Sequence, residues 1–204
     1  MKKVYIVGDS ISMYYGPYLE RYLSGFAIYS RKEADDEALR RLGLPANANG
    51  CNSDITLTFL RAKVASGTLD ADMVLLNCGL HDIRRKADTG KIEVPVERYR
   101  SNLSEIIALV REAKRELVWI RTTPCDENVH NTRPNIAFHR FAADCNAYNE
   151  AADAIMAEAG VPIIDLHTFT SNLGDDLYCD HVHFKEHVRE KQAAFIAGWL
   201  AGRL

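Results

Sequence analysis

The stretch Val4-Tyr5-Ile6-Val7-Gly8-Asp9-Ser10 determines how the rest of the chain is interpreted. Its four apolar residues are too few for a signal peptide or a membrane span, and they end at turn-forming residues, which is typical of a buried first strand. A serine at the end of such a strand can present its hydroxyl at the edge of a sheet, beside free backbone N–H groups. Gly-Asp-Ser is also a common turn and helix-cap sequence, so this motif alone leaves both interpretations open.

Short apolar runs alternate with longer helical patterns along the remaining chain. The patterns predict strands over residues 4–7, 26–29, 73–77, 117–121 and 161–164, and helices over 14–23, 55–65, 96–115, 138–159 and 185–200. Near-continuous apolar strands that alternate with helices favour a parallel sheet covered on both faces. Residues 30–52 and 125–134 are predicted to be surface loops, and the length of 204 residues predicts a single domain, 1–204.

The segment Asp180-His181-Val182-His183 supplies the groups that a nucleophilic serine requires. An aspartate and a histidine three residues apart on one loop can hydrogen-bond through the imidazole Nδ1, which leaves Nε2 to act as base towards Ser10. His181 is the competing base, but its side chain is expected to point elsewhere. A metal site in the HxHxxxH pattern of His181, His183 and His187 is the other alternative, although no further ligand set completes it convincingly.

The segment from Asn77 to Asp82 follows the third predicted strand, so it is expected at the same sheet edge as Ser10. Acyl transfer places negative charge on a carbonyl oxygen, which fixed hydrogen-bond donors stabilise. The expected donors of this oxyanion hole are the Ser10 and Gly50 backbone N–H groups and the His81 side chain. The remaining polar or turn-forming residues at this edge are candidates for substrate binding: Asp9, Asn77, Gly79 and Asp82.

Composition excludes several classes of protein. The net charge is −3 and no long basic cluster occurs, so nucleic acid is not an expected partner. The triplet Arg84-Arg85-Lys86 is interpreted as a solvated surface patch. No apolar run approaches membrane-spanning length. The five cysteines lack CxxC spacing, which favours a reducing compartment and predicts a cytoplasmic location.

In this order of motifs the chain resembles the SGNH hydrolases, also called GDSL-type lipases and esterases. The resemblance covers nearly the whole chain: Gly8-Asp9-Ser10 matches the first block, and Asp180 to His183 matches the last block, DxxH. The middle block, normally GxND, is Gly79-Leu80-His81-Asp82, so a histidine replaces the asparagine of the oxyanion hole. The block-two glycine aligns with Gly50. No GxSxG elbow of the α/β-hydrolases occurs.

The resemblance implies an α/β fold, specifically a three-layer α/β/α flavodoxin-like fold with a five-stranded parallel sheet. It also implies a covalent acyl-enzyme on Ser10, no metal and no cofactor. The expected substrate is a small-molecule or carbohydrate ester with a short acyl group, because the predicted polar rim suits a sugar better than a long acyl chain. The alternatives are a lysophospholipase or thioesterase of the same family, and a non-catalytic carbohydrate-binding module on this fold. Arg140, Tyr148 and Asn149 are assigned to helix packing.

Overall fold

The core of the fold is a five-stranded parallel sheet. The computed structural model describes residues 1–34, 36, 40 and 47–204. The sheet contains strands β1 (Lys2–Val7), β2 (Ala27–Arg31), β3 (Met73–Leu76), β5 (Glu116–Ile120) and β7 (Ile163–Ile164), in the order β2-β1-β3-β5-β7. Two further strands, β4 (Arg85–Lys86) and β6 (Phe138–His139), form a separate antiparallel ribbon. Counted within the sheet alone, the strand order is 2-1-3-4-5, which is the flavodoxin-like order.

Helices cover the sheet in two groups. The helices are α1 (Ser10–Leu23), α2 (Ser53–Ala65), α3 (Val96–Glu112), α4 (Glu127–Asn131), α5 (Ala142–Glu158), α6 (Leu166–Ser171) and α7 (Glu186–Ala201). Helix α1 packs against α7, whereas α3 packs against both α2 and α5. This grouping agrees with right-handed crossovers. The connection from β1 through α1 runs to β2 at one edge of the sheet, and the connection from β2 through α2 runs in the opposite direction to β3, so α1 and α2 lie on opposite faces. No helix among the described residues has the length and apolar character needed to cross a membrane.

The apolar strand residues explain why the sheet forms the centre of the core. All four residues of β3 are buried, as are the last four of β1 and of β5. Strands buried on both faces cannot alternate apolar and polar residues, so the continuous runs in the sequence reflect this position. The α/β class and the five parallel strands expected from the sequence are therefore confirmed.

Several local predictions need correction. Helix α1 begins at Ser10 rather than at residue 14, because the Asp9 side chain caps it by accepting the Ile11 N–H, and Pro17 therefore lies inside the helix. Residues 138–139 form β6, and the following helix starts at Ala142. Residues 127–131 of the predicted loop 125–134 form α4. Of the predicted loop 30–52, residues 35, 37–39 and 41–46 lie outside the described residues, and residues 30–31 belong to β2.

Candidate active site

Ser10 lies where β1 ends and α1 begins, at the carboxyl edge of the sheet. It is the first residue of α1, and the Asp9 Oδ1 atom accepts the Ile11 N–H at 2.9 Å. This cap fixes the direction of the first helical turn and therefore the direction of the Ser10 side chain. The Ser10 backbone N–H belongs to that first turn, whose N–H groups have no partner within the helix.

The His183 ring connects Ser10 to Asp180. Its Nε2 lies 2.8 Å from Ser10 Oγ, and its Nδ1 lies 2.7 Å from Asp180 Oδ2. A carboxylate accepts hydrogen bonds, so Nδ1 carries the proton and Nε2 of the neutral ring accepts the serine hydroxyl. Ser10 and His183 are 173 positions apart in the chain, yet they meet in the order nucleophile, base and carboxylate.

Asp180 is held by the loop that carries His183. Its Oδ1 accepts the backbone N–H groups of Val182 at 2.8 Å and His183 at 2.7 Å. Burial raises the pKa of this carboxyl, but the hydrogen bonds from His183 and Val182 outweigh burial and bring the pKa to about 2. Asp180 is therefore a carboxylate throughout the neutral range and can stabilise a protonated His183.

His181 does not face Ser10. Its Nδ1 lies 2.5 Å from Nδ1 of His130, whose Nε2 is 3.2 Å from the Phe138 carbonyl oxygen. That carbonyl can only accept, so His130 donates from Nε2 and accepts at Nδ1 from His181. Among the described residues, no group of three His, Cys, Asp or Glu side chains is arranged as a metal site, so the HxHxxxH alternative gains no support.

A pocket of about 470 Å³ opens at the Ser10 hydroxyl. Its wall combines polar and apolar side chains from the sheet edge, α1, the ribbon and the loop before α7. The lining residues are Asp9, Ser10, Met13, Tyr14, Asn47, Asn49, Leu80, His81, Arg84, Phe138, Arg140, His181, Val182 and His183. The pocket therefore contains Ser10, His183 and His81 together with residues that the sequence did not single out.

His81 lies in this pocket as a neutral ring. Burial, reinforced by the nearby guanidinium groups of Arg84 and Arg140, lowers its pKa to about 3. Its Nε2 lies 3.4 Å from Nη2 of Arg84. A guanidinium only donates, so Nε2 accepts and the ring proton resides on Nδ1. That Nδ1–H has no hydrogen-bond partner among the described residues and is available to a ligand.

Gly50 does not offer the N–H expected of it. Its backbone N–H donates to the Gly8 carbonyl oxygen at 2.8 Å, so it is already used between two segments of the protein. A Cβ at this position would lie 3.0 Å from the same oxygen, which explains why a glycine fits there. The expectation that Gly50 donates to an oxyanion is therefore wrong for this arrangement.

Asn49, the preceding residue, has a free donor instead. Its Oδ1 accepts the Cys51 N–H at 2.8 Å, which orients the amide, and its Nδ2 makes no hydrogen bond to another described residue. Asn49 lines the pocket with Ser10. The sequence signal was the polar run from Asn47 to Asn52, but spacing alone could not show which of its donors is free.

Three candidate substrate-binding residues support the site without lining the pocket. Asn77 donates from Nδ2 to the Ile120 carbonyl oxygen at 2.9 Å, and Asp82 Oδ1 accepts the Ser53 N–H at 2.8 Å. Gly79 has a φ of 151°, and a Cβ there would lie 2.5 Å from Thr122 Oγ1. The structure therefore separates these residues from Asp9, which does line the pocket.

Arg84 and Arg140 are pocket residues that sequence reasoning missed. Arg84 was interpreted as part of a solvated patch, but it lines the pocket, whereas its neighbour Arg85 forms a partly buried ion pair with Asp144, at 2.6 Å. Arg140 was assigned to helix packing, but it precedes α5 and donates from Nε to the Leu80 carbonyl oxygen at 2.6 Å. The packing role assigned to Asn149 agrees with the structure, because it is buried against Thr122.

Comparisons with known proteins agree with this geometry. A family model described as the GDSL-like lipase/acylhydrolase family matches residues 6–188. The comparison with curated proteins found no match. Among solved structures, the fold is similar to a lipase/acylhydrolase from Enterococcus faecalis, with 18% identity, a TM-score of 0.71, and coverage of 100% of this chain and 97% of that chain.

Two further similar structures are esterases of acetylated carbohydrates. The acetyl xylan esterase AlAXEase has 18% identity and a TM-score of 0.66, with 98% of each chain covered. Est24, a carbohydrate acetylesterase from Sinorhizobium meliloti, has 13% identity and a TM-score of 0.68, with 100% of each chain covered. At these identities the likeness concerns the fold, whereas the family model covers most of the chain. The chain therefore belongs to the GDSL-like lipase/acylhydrolase family and is a hydrolase of the esterase type.

Proposed function

We propose that this chain is a serine esterase that removes a short acyl group, preferably acetyl, from a carbohydrate through an acyl-enzyme on Ser10. One observation carries the proposal: the His183 ring bridges Ser10 Oγ at 2.8 Å and Asp180 Oδ2 at 2.7 Å. This arrangement gives a serine hydroxyl both a base and a group that orients the base.

The first half-reaction transfers the acyl group to Ser10. His183 Nε2 accepts the hydroxyl proton while Oγ forms a bond to the ester carbonyl carbon, and Asp180 stabilises the imidazolium. The tetrahedral intermediate then collapses, the bond to the leaving oxygen breaks, and His183 returns the proton to the departing alcohol. Water attacks the acyl-enzyme by the same sequence, which releases the acid and restores the Ser10 hydroxyl.

The oxyanion in this mechanism has three candidate donors. The Ser10 N–H lies in the first turn of α1, and neither the His81 Nδ1–H nor the Asn49 Nδ2 group donates to another described residue. We assign Asn49 the place that Gly50 was expected to take, since the Gly50 N–H is used by Gly8. Fixed donors of this kind require no reorganisation when charge develops on the carbonyl oxygen.

The preference for an acetylated carbohydrate is supported by the pocket wall and by two of the similar folds. Asn47, Asn49, His81 and His181 contribute polar side chains that suit the hydroxyl groups of a sugar. AlAXEase is an acetyl xylan esterase and Est24 is a carbohydrate acetylesterase.

The test compares hydrolysis of p-nitrophenyl acetate and p-nitrophenyl octanoate by the wild type and Ser10→Ala at equal protein concentration. We expect acetate to be preferred and Ser10→Ala to lose at least ~10³-fold in kcat, because loss of the nucleophile removes the triad as a unit. Ser24→Ala, an exposed serine at the other end of α1, serves as the matched control. Preference for octanoate would transfer the proposal to lipid or thioester substrates, and turnover independent of Ser10 would contradict the mechanism.

A further inference from the structure

Arg84 and Arg140 lie opposite each other at the end of the two-stranded ribbon. In the antiparallel register Arg85 pairs with His139 and Lys86 with Phe138, so the next facing positions are Arg84 and Arg140. Both guanidinium groups pack on the same Phe138 ring, at 4.3 Å and 4.9 Å from its centre. The ribbon therefore brings two cations together in the wall of the Ser10 pocket.

Neither arginine has an ion-pair partner among the described residues. Arg84 makes one side-chain hydrogen bond, at 3.4 Å to His81, and its Nε is buried without a partner. Arg140 is 3% exposed, and its side chain donates from Nε to the Leu80 carbonyl oxygen. The other N–H groups of its guanidinium have no hydrogen-bond partner among the described residues.

Asp9 is the pocket carboxyl that acts electrostatically on both arginines, but it does not neutralise them. Its Oδ1 accepts the Ile11 N–H, it forms no ion pair with either arginine, and burial raises its pKa. Asp180 is engaged with His183. Burial and the neighbouring Arg84 lower the pKa of Arg140 to about 10, so it still carries its charge at neutral pH.

Placing two like charges opposite each other, partly out of water, destabilises a protein unless an anion binds between them. An arginine fork matches the planar geometry of a carboxylate, or two oxygens of a sulfate or phosphate, with two parallel hydrogen bonds. Phe138 restricts the orientation of both guanidinium groups, so they are prepared for such a ligand before it arrives. The ion pair of Arg85 with Asp144 shows how a neighbouring arginine is neutralised when the chain supplies its partner.

We propose that Arg84 and Arg140 bind an anionic group of the ester substrate, a carboxylate, sulfate or phosphate, so that the esterase prefers negatively charged esters over neutral ones. The proposal rests on the proposed esterase function, because both arginines line the same pocket as Ser10. The anionic group and the scissile ester then belong to one small molecule. An acetylated sugar acid or an acetylated sugar sulfate or phosphate has this chemistry.

A competing role for Arg84 is to orient His81, which it contacts through Nε2. The two roles make different predictions. A residue that only orients an oxyanion donor affects every ester equally, whereas an anion-binding residue affects charged esters selectively.

The experiment measures kcat/KM for 3- and 4-acetoxybenzoate and for their neutral methyl esters, at constant ionic strength. The wild type is expected to prefer the carboxylates, and Arg84→Gln is expected to reduce the ratio of charged to neutral kcat/KM by about tenfold, since a charge-assisted hydrogen bond has that order of effect. Lys86→Gln removes the same charge from an exposed side chain two residues away and is expected to leave the ratio unchanged. An equal loss for both esters in Arg84→Gln, or no preference in the wild type, would overturn the proposal.

A binding measurement separates this proposal from the esterase mechanism. Titration calorimetry of Ser10→Ala with 4-hydroxybenzoate and its methyl ester needs no turnover. If Ser10→Ala binds 4-hydroxybenzoate more tightly than the methyl ester, and Ser10→Ala/Arg84→Gln loses this preference, the anion site is supported even if ester hydrolysis fails. Equal binding of the two compounds, or an unchanged preference in the double variant, rejects the anion site even if hydrolysis succeeds.

Small anions identify the preferred group. Sulfate, phosphate and acetate are compared as competitive inhibitors of methyl 4-acetoxybenzoate hydrolysis by the wild type. Stronger inhibition by sulfate or phosphate assigns a tetrahedral anion, and stronger inhibition by acetate assigns a carboxylate. Both results support the site if inhibition weakens in Arg84→Gln, and inhibition that is independent of Arg84 counts against it.

Discussion

His81 determines how the oxyanion is held in this chain. Its pKa of about 3 keeps the ring neutral above about pH 4, so it offers a single N–H from Nδ1. We expect His81→Ala to lose about 10²-fold or more in kcat with p-nitrophenyl acetate, the effect of losing one oxyanion donor. His81→Asn keeps a side-chain N–H donor and is expected to lose less than His81→Ala.

The exposed His187, on α7, provides the matched control for this series. His187→Ala should keep the wild-type rate. Near-wild-type activity of His81→Ala would remove His81 from the mechanism and leave Asn49 and the Ser10 N–H as donors.

Asp180 provides a second test of single-residue roles. Asp180→Asn keeps an oxygen for the backbone N–H groups of Val182 and His183 but removes the negative charge opposite Nδ1. We expect kcat to fall by ~10²–10⁴-fold, because the amide does not stabilise the imidazolium and can select the wrong tautomer. Asp176→Asn, on the same stretch of chain and paired with Lys185, controls for the substitution. Unchanged kcat in Asp180→Asn would exclude this carboxylate from the triad.

The residues of the candidate site differ in how far the sequence could predict them. Asp180 and His183 lie three residues apart in one motif, whose spacing allows the hydrogen bond between them, and Ser10 ends the first apolar run, so short motifs were sufficient to propose all three. Arg84 and Arg140 depend on the pairing of β4 with β6, which are about fifty residues apart, and charge pattern alone does not show which arginine of a triplet turns inward. Gly50 was mispredicted for the same reason, because its partner, Gly8, lies on another segment.

Asp82 links two elements of the fold and makes their connection sensitive to pH. It follows β3 and accepts the first N–H of α2, at Ser53, while its Oδ2 is buried without a partner among the described residues. Burial raises its pKa from 3.8 to about 7. Between these values the folded protein retains a proton that the unfolded chain has lost, so stability falls as the pH rises from about 4 to 7.

Asp82→Asn is expected to remove this dependence. The free energy of unfolding of the variant, minus that of the wild type, should increase by up to ~3 kcal/mol between pH 5 and pH 8. Urea denaturation followed by circular dichroism at several pH values measures the trend. Asp175→Asn, at an exposed position, should show no such trend. Parallel curves for Asp82→Asn and the wild type would show that Asp82 titrates normally.

The elements themselves were predicted unevenly, for identifiable reasons. The buried strands were recognised because their apolar runs have no competing explanation, and α3 and α7 because their patterns are long. The start of α1 was placed four residues late because Pro17 was assumed to lie in the first turn, whereas the Asp9 cap moves the start to Ser10. Helix α4 was missed because five residues are too few for a periodic pattern.

The whole molecule assembles the candidate site from both ends of the chain. Ser10 begins α1, His183 precedes α7, and these two helices pack against each other. The ribbon and the loop after β3 contribute the opposite wall. We propose that residues 1–204 form one cooperative domain, because no part of the chain holds nucleophile, base and pocket wall by itself.

The two tryptophans make this cooperativity measurable. Trp119 is fully buried in β5, between β3 and β7 of the sheet, whereas Trp199 is half-buried on α7 and packs with Arg203. Trp199→Phe leaves a reporter in the sheet alone, and Trp119→Phe leaves one on the last helix. In each variant we expect the urea midpoints from fluorescence, circular dichroism and p-nitrophenyl acetate hydrolysis to coincide, since a two-state domain loses all its structure in one transition. A fluorescence midpoint for Trp199 at lower urea than the circular dichroism midpoint would show that α7 separates first, and activity would then follow Trp199, because His183 lies directly before that helix.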